Sequence, residues 1–225
     1  MHRPDPNMAE RHLYDRLLFR RKFDRGNRPV VAHDLLHTSA GGLATIRLPG
    51  STVDDVAITY SSGKVSGVTD ATGAWTYGYA DVGTTRTTTV SGPLGQKTVA
   101  VSDQTIGRAT SVAVQVQASP AVSRTTTYQY DGQRRLERIT NPEGDYTEFA
   151  FDGRGNVITT TAAPKPGSGL SNIVTSASYP STCSNPRTCN RPSSTTDALG
   201  AVTNYTWNAT HGGLESITAP APTIG

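Results

Sequence analysis

Apolar and polar residues alternate along most of the chain from about residue 44 onward, most clearly from Tyr128 to Val157. Tyr128 and Tyr130 are separated by a polar residue, and Phe149 and Phe151 have the same spacing. A period of two places successive side chains on opposite faces of a β-strand. The pattern therefore predicts short antiparallel strands with one face turned inward.

The predicted strands are separated by turns rich in Asp, Asn, Pro and Gly. A hexapeptide that ends in glycine recurs along the chain, and its last residue is Gly73, Gly95, Gly144 or Gly200. Glycine adopts positive φ at little cost, so these positions are predicted to reverse the chain. The regular return of the turn predicts a repeat array whose units bury their apolar faces against their neighbours.

Two consecutive units resemble the tyrosine-aspartate (YD) repeat of the RHS family. The resemblance is carried by Tyr128, Tyr130, Asp131, Gly144, Phe149, Phe151, Asp152 and Gly155. In the second unit Gly155 follows Asp152 by three residues, as the family pattern requires. The first unit departs from the pattern because Arg134 stands at the glycine position, which leaves its turn geometry open.

The resemblance implies strand-turn-strand units that coil into a hollow β-shell, as in bacterial RHS toxins, insecticidal toxin complexes and teneurins. In that family the repeats wall a chamber around a toxic C-terminal domain. After its repeats, the chain shows neither that domain nor the aspartate-proline motif at which RHS proteins cut themselves. It is interpreted as a fragment with a structural, non-enzymatic role in a secreted or cell-envelope protein. Its expected partners are the rest of the shell or the enclosed toxin.

Composition supports an all-β class. Only 35% of the residues are hydrophobic, 22 are glycine, and threonine, which suits strands with wet faces, is abundant. The expected fold is an array of antiparallel strand-turn-strand repeats forming a curved sheet or partial β-shell. Leucines at helical spacing within residues 9–24 add a short N-terminal amphipathic helix to this prediction.

Four segments are predicted along the chain. Residues 1–43 form a basic leader, 44–160 carry YD-type β-repeats, 161–196 are a Pro/Gly/Ser-rich insertion, and 197–225 form a further repeat. Both cysteines of the chain, Cys183 and Cys189, lie in the insertion. The spacing favours a local disulfide, with free thiols as the alternative.

Charge and motifs exclude several function classes. The net charge of +3 arises in residues 1–40, and the repeats are neutral, which argues against a nucleic-acid partner. The sequence has no apolar run near the ~20 residues of a membrane helix and no secretory signal. His33 and His37 are four apart, a spacing that on a helix would place both on one face, but no third metal ligand accompanies them. No cofactor or metal is expected.

Two alternatives remain beside the structural role. Aromatic residues recur on the predicted strands and would suit a carbohydrate-binding or adhesin-like module, although cross-strand packing explains them as well. Aspartates recur in the predicted turns, where they are expected to cap their own backbone, so a glycosidase is the weaker alternative. These aspartates are Asp70, Asp81, Asp103, Asp131, Asp152 and Asp197. Unpaired strand edges also predict self-association.

Overall fold

A computed structural model of the chain describes residues 34–117 and 120–220, and this part contains sixteen strands and no helix. The predicted helix over residues 9–24 lies outside the described residues. The strands are β1 (Asp34–His37), β2 (Leu43–Arg47), β3 (Val56–Ser61), β4 (Lys64–Asp70), β5 (Gly73–Val82), β6 (Thr85–Ser91), β7 (Lys97–Asp103), β8 (Arg108–Gln117), β9 (Val122–Tyr130), β10 (Leu136–Thr140), β11 (Tyr146–Phe151), β12 (Val157–Ala163), β13 (Ile173–Ser178), β14 (Ser194–Thr196), β15 (Val202–Trp207) and β16 (Leu214–Thr218).

The chain divides into two compact units between Thr125 and Thr126, within β9. In the N-terminal unit, β1 to β8 pair antiparallel in chain order. In the C-terminal unit, the end of β9 and strands β10 to β16 do the same. The prediction of an all-β antiparallel fold is therefore confirmed for the described residues.

Alternation of residue type explains where strands form. In β5, Trp75, Tyr77 and Tyr79 are partly buried, whereas the residues between them are exposed. Asp34–His37 form β1, so the helical spacing considered for His33 and His37 does not hold over these four residues.

Few side chains are fully buried, because strand contacts among the described residues follow chain order and the sheets are single layers. Among the residues that the structure describes, Ile46 and Val68 are the buried apolar side chains of the N-terminal unit, and Ala163 and Cys189 those of the C-terminal unit. Most strand residues are half-buried instead. Cross-strand pairing, rather than a thick core, holds each unit together.

Residues 161–196 contribute two strands to the C-terminal unit. β13 pairs with β12 on one side and with β14 on the other. A loop of residues 164–172 precedes β13, and a longer loop of residues 179–193 joins β13 to β14. The longer loop holds both cysteines.

Candidate functional site

One five-residue turn recurs six times in the described part of the chain. In each copy the first residue's N–H donates to the fifth residue's carbonyl, and the fourth residue's N–H donates to the first residue's carbonyl. The copies are Thr38–Gly42, Gly92–Gln96, Asp131–Arg135, Asn141–Asp145, Asp152–Asn156 and Asp197–Ala201. The fourth residue always has a positive φ, from 63° to 88°. This is a hairpin loop with a left-handed residue before the returning strand.

Glycine fills the fourth position of this turn in five copies and arginine in one. The predicted turn residues Gly95, Gly144, Gly155 and Gly200 have φ values of 79°, 88°, 84° and 84°. Arg134 adopts φ 63° in the remaining copy. The turn 131–135, whose geometry the sequence left open, therefore has the same geometry as the other copies. It adopts this geometry although a left-handed conformation costs free energy for a residue other than glycine.

An aspartate at the first position completes the turn in three copies. In Asp131, Asp152 and Asp197, Oδ1 accepts hydrogen bonds of 2.8–2.9 Å from the backbone N–H groups of the third and fifth residues. The carboxylate thus satisfies donors that the tight reversal leaves without a partner on the opposite strand. Two other turns use Asp70 and Asp103, whose Oδ1 atoms accept from the N–H and hydroxyl two residues on.

Gly73 and Asp81, two of the predicted turn residues, lie in strand β5. Asp81 is in β5 and accepts from Arg86 of β6 at 2.8 and 2.9 Å, so the expectation that it caps a turn is wrong. The reversal comes later, because the two-residue loop between Val82 and Thr85 starts at Gly83. Gly73 is the first residue of β5, with φ 123°.

In the C-terminal unit, the turns that lie at the same end of the strands are tied together by side chains. We call this arrangement the turn ladder; its members are the turns 131–135 and 152–156, the loop 179–193 and the turn 208–213. Arg135 makes the first tie, because its Nη1 donates to the Asp152 carbonyl at 3.0 Å. Its Nε donates to Asp131 Oδ2 at 2.6 Å, and its guanidinium lies 4.5 Å from the Phe151 ring centroid.

Arg154 makes the second tie, between the turn 152–156 and the loop. Its guanidinium donates to the carbonyls of Pro180, Ser181 (3.2 Å) and Cys189 (3.4 Å). Asp152 Oδ2 lies 3.3 Å from the same guanidinium and balances its charge. One cation thus holds both arms of the loop.

The third tie joins the loop to the turn 208–213. Asn185 Nδ2 donates to the Ala209 carbonyl at 2.8 Å, and Trp207 Nε1 donates to the Pro192 carbonyl at 2.7 Å. The loop itself is cross-linked by a disulfide between Cys183 and Cys189, whose Cα atoms are 4.9 Å apart. Cys189 is 2% exposed, the most buried side chain in the described part of the chain.

Two turn aspartates of the ladder have lowered pKa values. Burial raises the pKa of Asp131, but the hydrogen bonds from Arg135 and Gln133 and the charge of Arg135 outweigh it. Burial likewise raises the pKa of Asp152, and the hydrogen bonds from Asn156 and Arg154 outweigh it. Both net shifts are downward, so these carboxyl groups are ionised at neutral pH and act as acceptors. A general acid needs the opposite shift.

Strand pairing places the four aromatic motif residues opposite aliphatic or threonine partners. Tyr128 lies opposite Ile139, Tyr130 opposite Leu136, Phe149 opposite Thr160 and Phe151 opposite Val157. Arginines cover several aromatic faces: Arg135 covers Phe151, Arg138 covers Tyr146 at 4.3 Å, and Arg191 covers Trp207 at 4.8 Å. A sugar would stack on these same faces, so the arginines compete with that use.

Comparison of the sequence with protein-family models and with curated proteins gives no match. Among solved structures, the chain is similar to TcdB2-TccC3-Cdc42 and TcdB2-TccC3-TEV, each with 13% identity and a TM-score of 0.46. A third similar structure is the Tc holotoxin pore of Photorhabdus luminescens, with 13% identity and a TM-score of 0.42. The alignments cover 96%, 97% and 85% of this chain but only 12% of each of those chains.

The described residues contain no group of three or more His, Cys, Asp or Glu that could hold a metal ion. Within the same residues, no helix is long and apolar enough to cross a membrane. Three of the side chains that make the ladder ties, Arg135, Arg154 and Asn185, are not among the residues singled out from the sequence. Their acceptors are backbone carbonyls 17 to 35 residues away, and a backbone acceptor leaves no signature in the sequence.

Proposed function

We propose that this chain is a structural repeat segment of an RHS-type toxin-delivery protein and contributes wall to a β-shell around a toxin domain. The observation that carries the proposal is the recurrence of one turn six times, with ties between successive turns in the C-terminal unit. The same turn returns along the chain although the strand residues differ from copy to copy. Such repetition suits the stacking of repeats better than it suits a catalytic site.

The single-layer construction supports this role. Leu214 and Ile217 on β16 are 47% and 57% exposed, and Ile173 and Val174 on β13 are 58% and 45% exposed. Isolated exposed apolar residues are normal, but a wall segment would present such strands to other parts of its shell or to the cargo. Self-association of the chain through strand edges stays a prediction of the same reasoning.

The proposal also holds that the chain is not an enzyme. Its turn carboxylates accept hydrogen bonds from their own backbone, and the two on the ladder have lowered pKa values. An acid-base pair for glycoside hydrolysis needs one carboxyl group with a raised pKa facing an ionised partner. The aspartates here are engaged in turn formation instead.

The test is cryo-electron microscopy of the complete gene product from which this chain comes. We expect residues 34–220 to lie in the wall of a closed chamber with protein density inside. An open particle, or a chamber formed without these residues, would refute the proposal. A glycan array and a panel of glycoside substrates, applied to the purified chain, test the alternatives: specific glycan binding would favour an adhesin, and hydrolysis an enzyme.

A further inference from the structure

The two arms of the loop 179–193 meet at one guanidinium. The carbonyls of Pro180 and Ser181 come from the arm before Cys183, and the carbonyl of Cys189 comes from the arm after it. The disulfide links these arms. It therefore brings acceptors from both arms to Arg154 together.

The same loop covers Trp207, one member of an aromatic pair on β15. Trp207 donates its indole N–H to Pro192, and the Arg191 guanidinium lies over the Trp207 ring at 4.8 Å. Tyr205 stacks against Trp207 with ring centroids 6.1 Å apart. On β16, Ile217 pairs with Tyr205 and Leu214 with Trp207, and both of these aliphatic side chains are about half exposed. Since directly paired residues share a sheet face, these four side chains form one apolar surface, and the loop covers it at Trp207.

The two sulfurs differ in access. Cys183 is exposed at the tip of its arm, whereas Cys189 is 2% exposed beneath the loop. A reductant therefore reaches Cys183 Sγ first, and Cys189 Sγ is the leaving group.

We propose that the Cys183–Cys189 disulfide is a redox-sensitive clasp, whose reduction by a dithiol releases the loop 179–193 and uncovers Trp207, the covered end of the apolar surface formed by Tyr205, Trp207, Leu214 and Ile217. The inference concerns the loop alone and does not depend on the function proposed above. Strands β10 to β12 stay folded, because they pair with β9 and with one another and not with the loop.

The redox step balances as a thiol-disulfide exchange. A thiolate of the dithiol attacks Cys183 Sγ, the Sγ–Sγ bond breaks, and Cys189 leaves as a thiolate that takes up a proton. The second thiol of the reductant then attacks the mixed disulfide and closes its own ring. Cys183 is released as a thiol, and two electrons and two protons have passed from the dithiol to the protein.

The experiment uses the full chain carrying Trp75→Phe, so that Trp207 is the single tryptophan. Acrylamide quenching of its fluorescence is measured with and without dithiothreitol, and mass spectrometry verifies the thiol state. We expect quenching to rise several-fold on reduction. A Cys183→Ser/Cys189→Ser variant should show the high value in both conditions, which controls for effects of the reductant itself.

Hydrogen exchange of the protein with native cysteines gives an independent measure that needs no cysteine variant. Under reduction, we expect exchange to speed up by a much larger factor in residues 179–193 than in β10 to β12. Unchanged Trp207 quenching and loop exchange in verified dithiol protein would overturn the proposal. Equal acceleration throughout β10 to β12 would also overturn it, because the disulfide would then hold the whole unit and not the loop.

Discussion

The two units use the same turn but stabilise their sheets differently. The N-terminal unit has the longest strands, with ten residues in both β5 and β8. In the C-terminal unit β14 has only three residues, and it lies beside the loop that the turn ladder ties down. Short strands offer few backbone hydrogen bonds. In this part of the sheet, the side-chain hydrogen bonds of the ladder add stability that strand pairing does not provide. The comparison suggests that the ladder matters most where the strands are shortest.

Removing Arg154 breaks the ladder at its centre and should have the largest effect. Arg154→Ala removes hydrogen bonds to three loop carbonyls and leaves Asp152 without its cation. Hydrogen bonds to charged groups contribute ~1.5–3 kcal/mol, so we expect the C-terminal unit to lose about 2 to 3 kcal/mol of unfolding free energy. Urea unfolding followed by Trp207 in the Trp75→Phe background measures it.

Arg187→Ala is the matched control for this experiment, because Arg187 lies in the same loop and its side chain is exposed. A surface substitution of this kind should change stability by less than ~0.5 kcal/mol. Hydrogen exchange in β5 to β8 should be the same in both variants. Equal losses for Arg154→Ala and Arg187→Ala would mean that the ladder contributes nothing specific.

The second prediction compares one turn position between the units. A Cβ at Gly144 would lie 3.0 Å from Pro166 Cδ, whereas a Cβ at Gly95 would meet nothing within 4 Å. Both residues have positive φ, which costs an alanine ~1 kcal/mol. We expect Gly95→Ala to lose about this much, and Gly144→Ala about 2 kcal/mol because a packing conflict is added. Urea midpoints of the two variants test the order, and a larger loss at Gly95 would contradict it.

Much of this fold could be predicted from sequence because its turns follow a local code. An aspartate or asparagine followed by glycine three residues later specifies the hairpin by hydrogen bonding and φ alone, so Asp152 and Gly155 could be recognised directly. Asp81 shows the limit of that code. Its residue type suits a turn, but glycine at position 83 allows a two-residue reversal and leaves Asp81 in the strand.

The turn ladder could not be predicted in the same way. Arg135 and Arg154 resemble any exposed arginine in the sequence, and their acceptors are main-chain carbonyls brought near by strand register. Register depends on every turn length before it. The conformation of Arg134 could not be predicted from sequence either. The backbone hydrogen bonds of its turn and those accepted by Asp131 outweigh the preference for glycine at this position.

Arg134→Gly tests that override and should be stabilising. Arg134 has φ 63° and an exposed side chain, so glycine removes backbone strain while losing little contact. We expect a gain of ~0.5–1 kcal/mol, measured as a higher urea midpoint. Gln133→Gly is the control, because Gln133 has no positive φ and glycine should there be neutral or destabilising. A loss of stability in Arg134→Gly would show that its side chain contributes to the ladder.

The smallest effect concerns the charge on the ladder aspartates. The folded pKa of Asp152 is lowered, so its ionised form stabilises the folded state at pH values above the unfolded pKa of about 3.9. That contribution is lost as pH falls below about 4 and through the folded pKa. Asp152→Asn keeps an oxygen that can accept from the N–H groups of Arg154 and Asn156 but removes the titrating group. The Trp207 urea midpoint should therefore fall less between pH 7 and pH 3 in Asp152→Asn than in its Trp75→Phe parent. An identical fall in both proteins would show that the Asp152 charge does not contribute to stability, and the comparison would then rest on the arginine ties to backbone carbonyls alone.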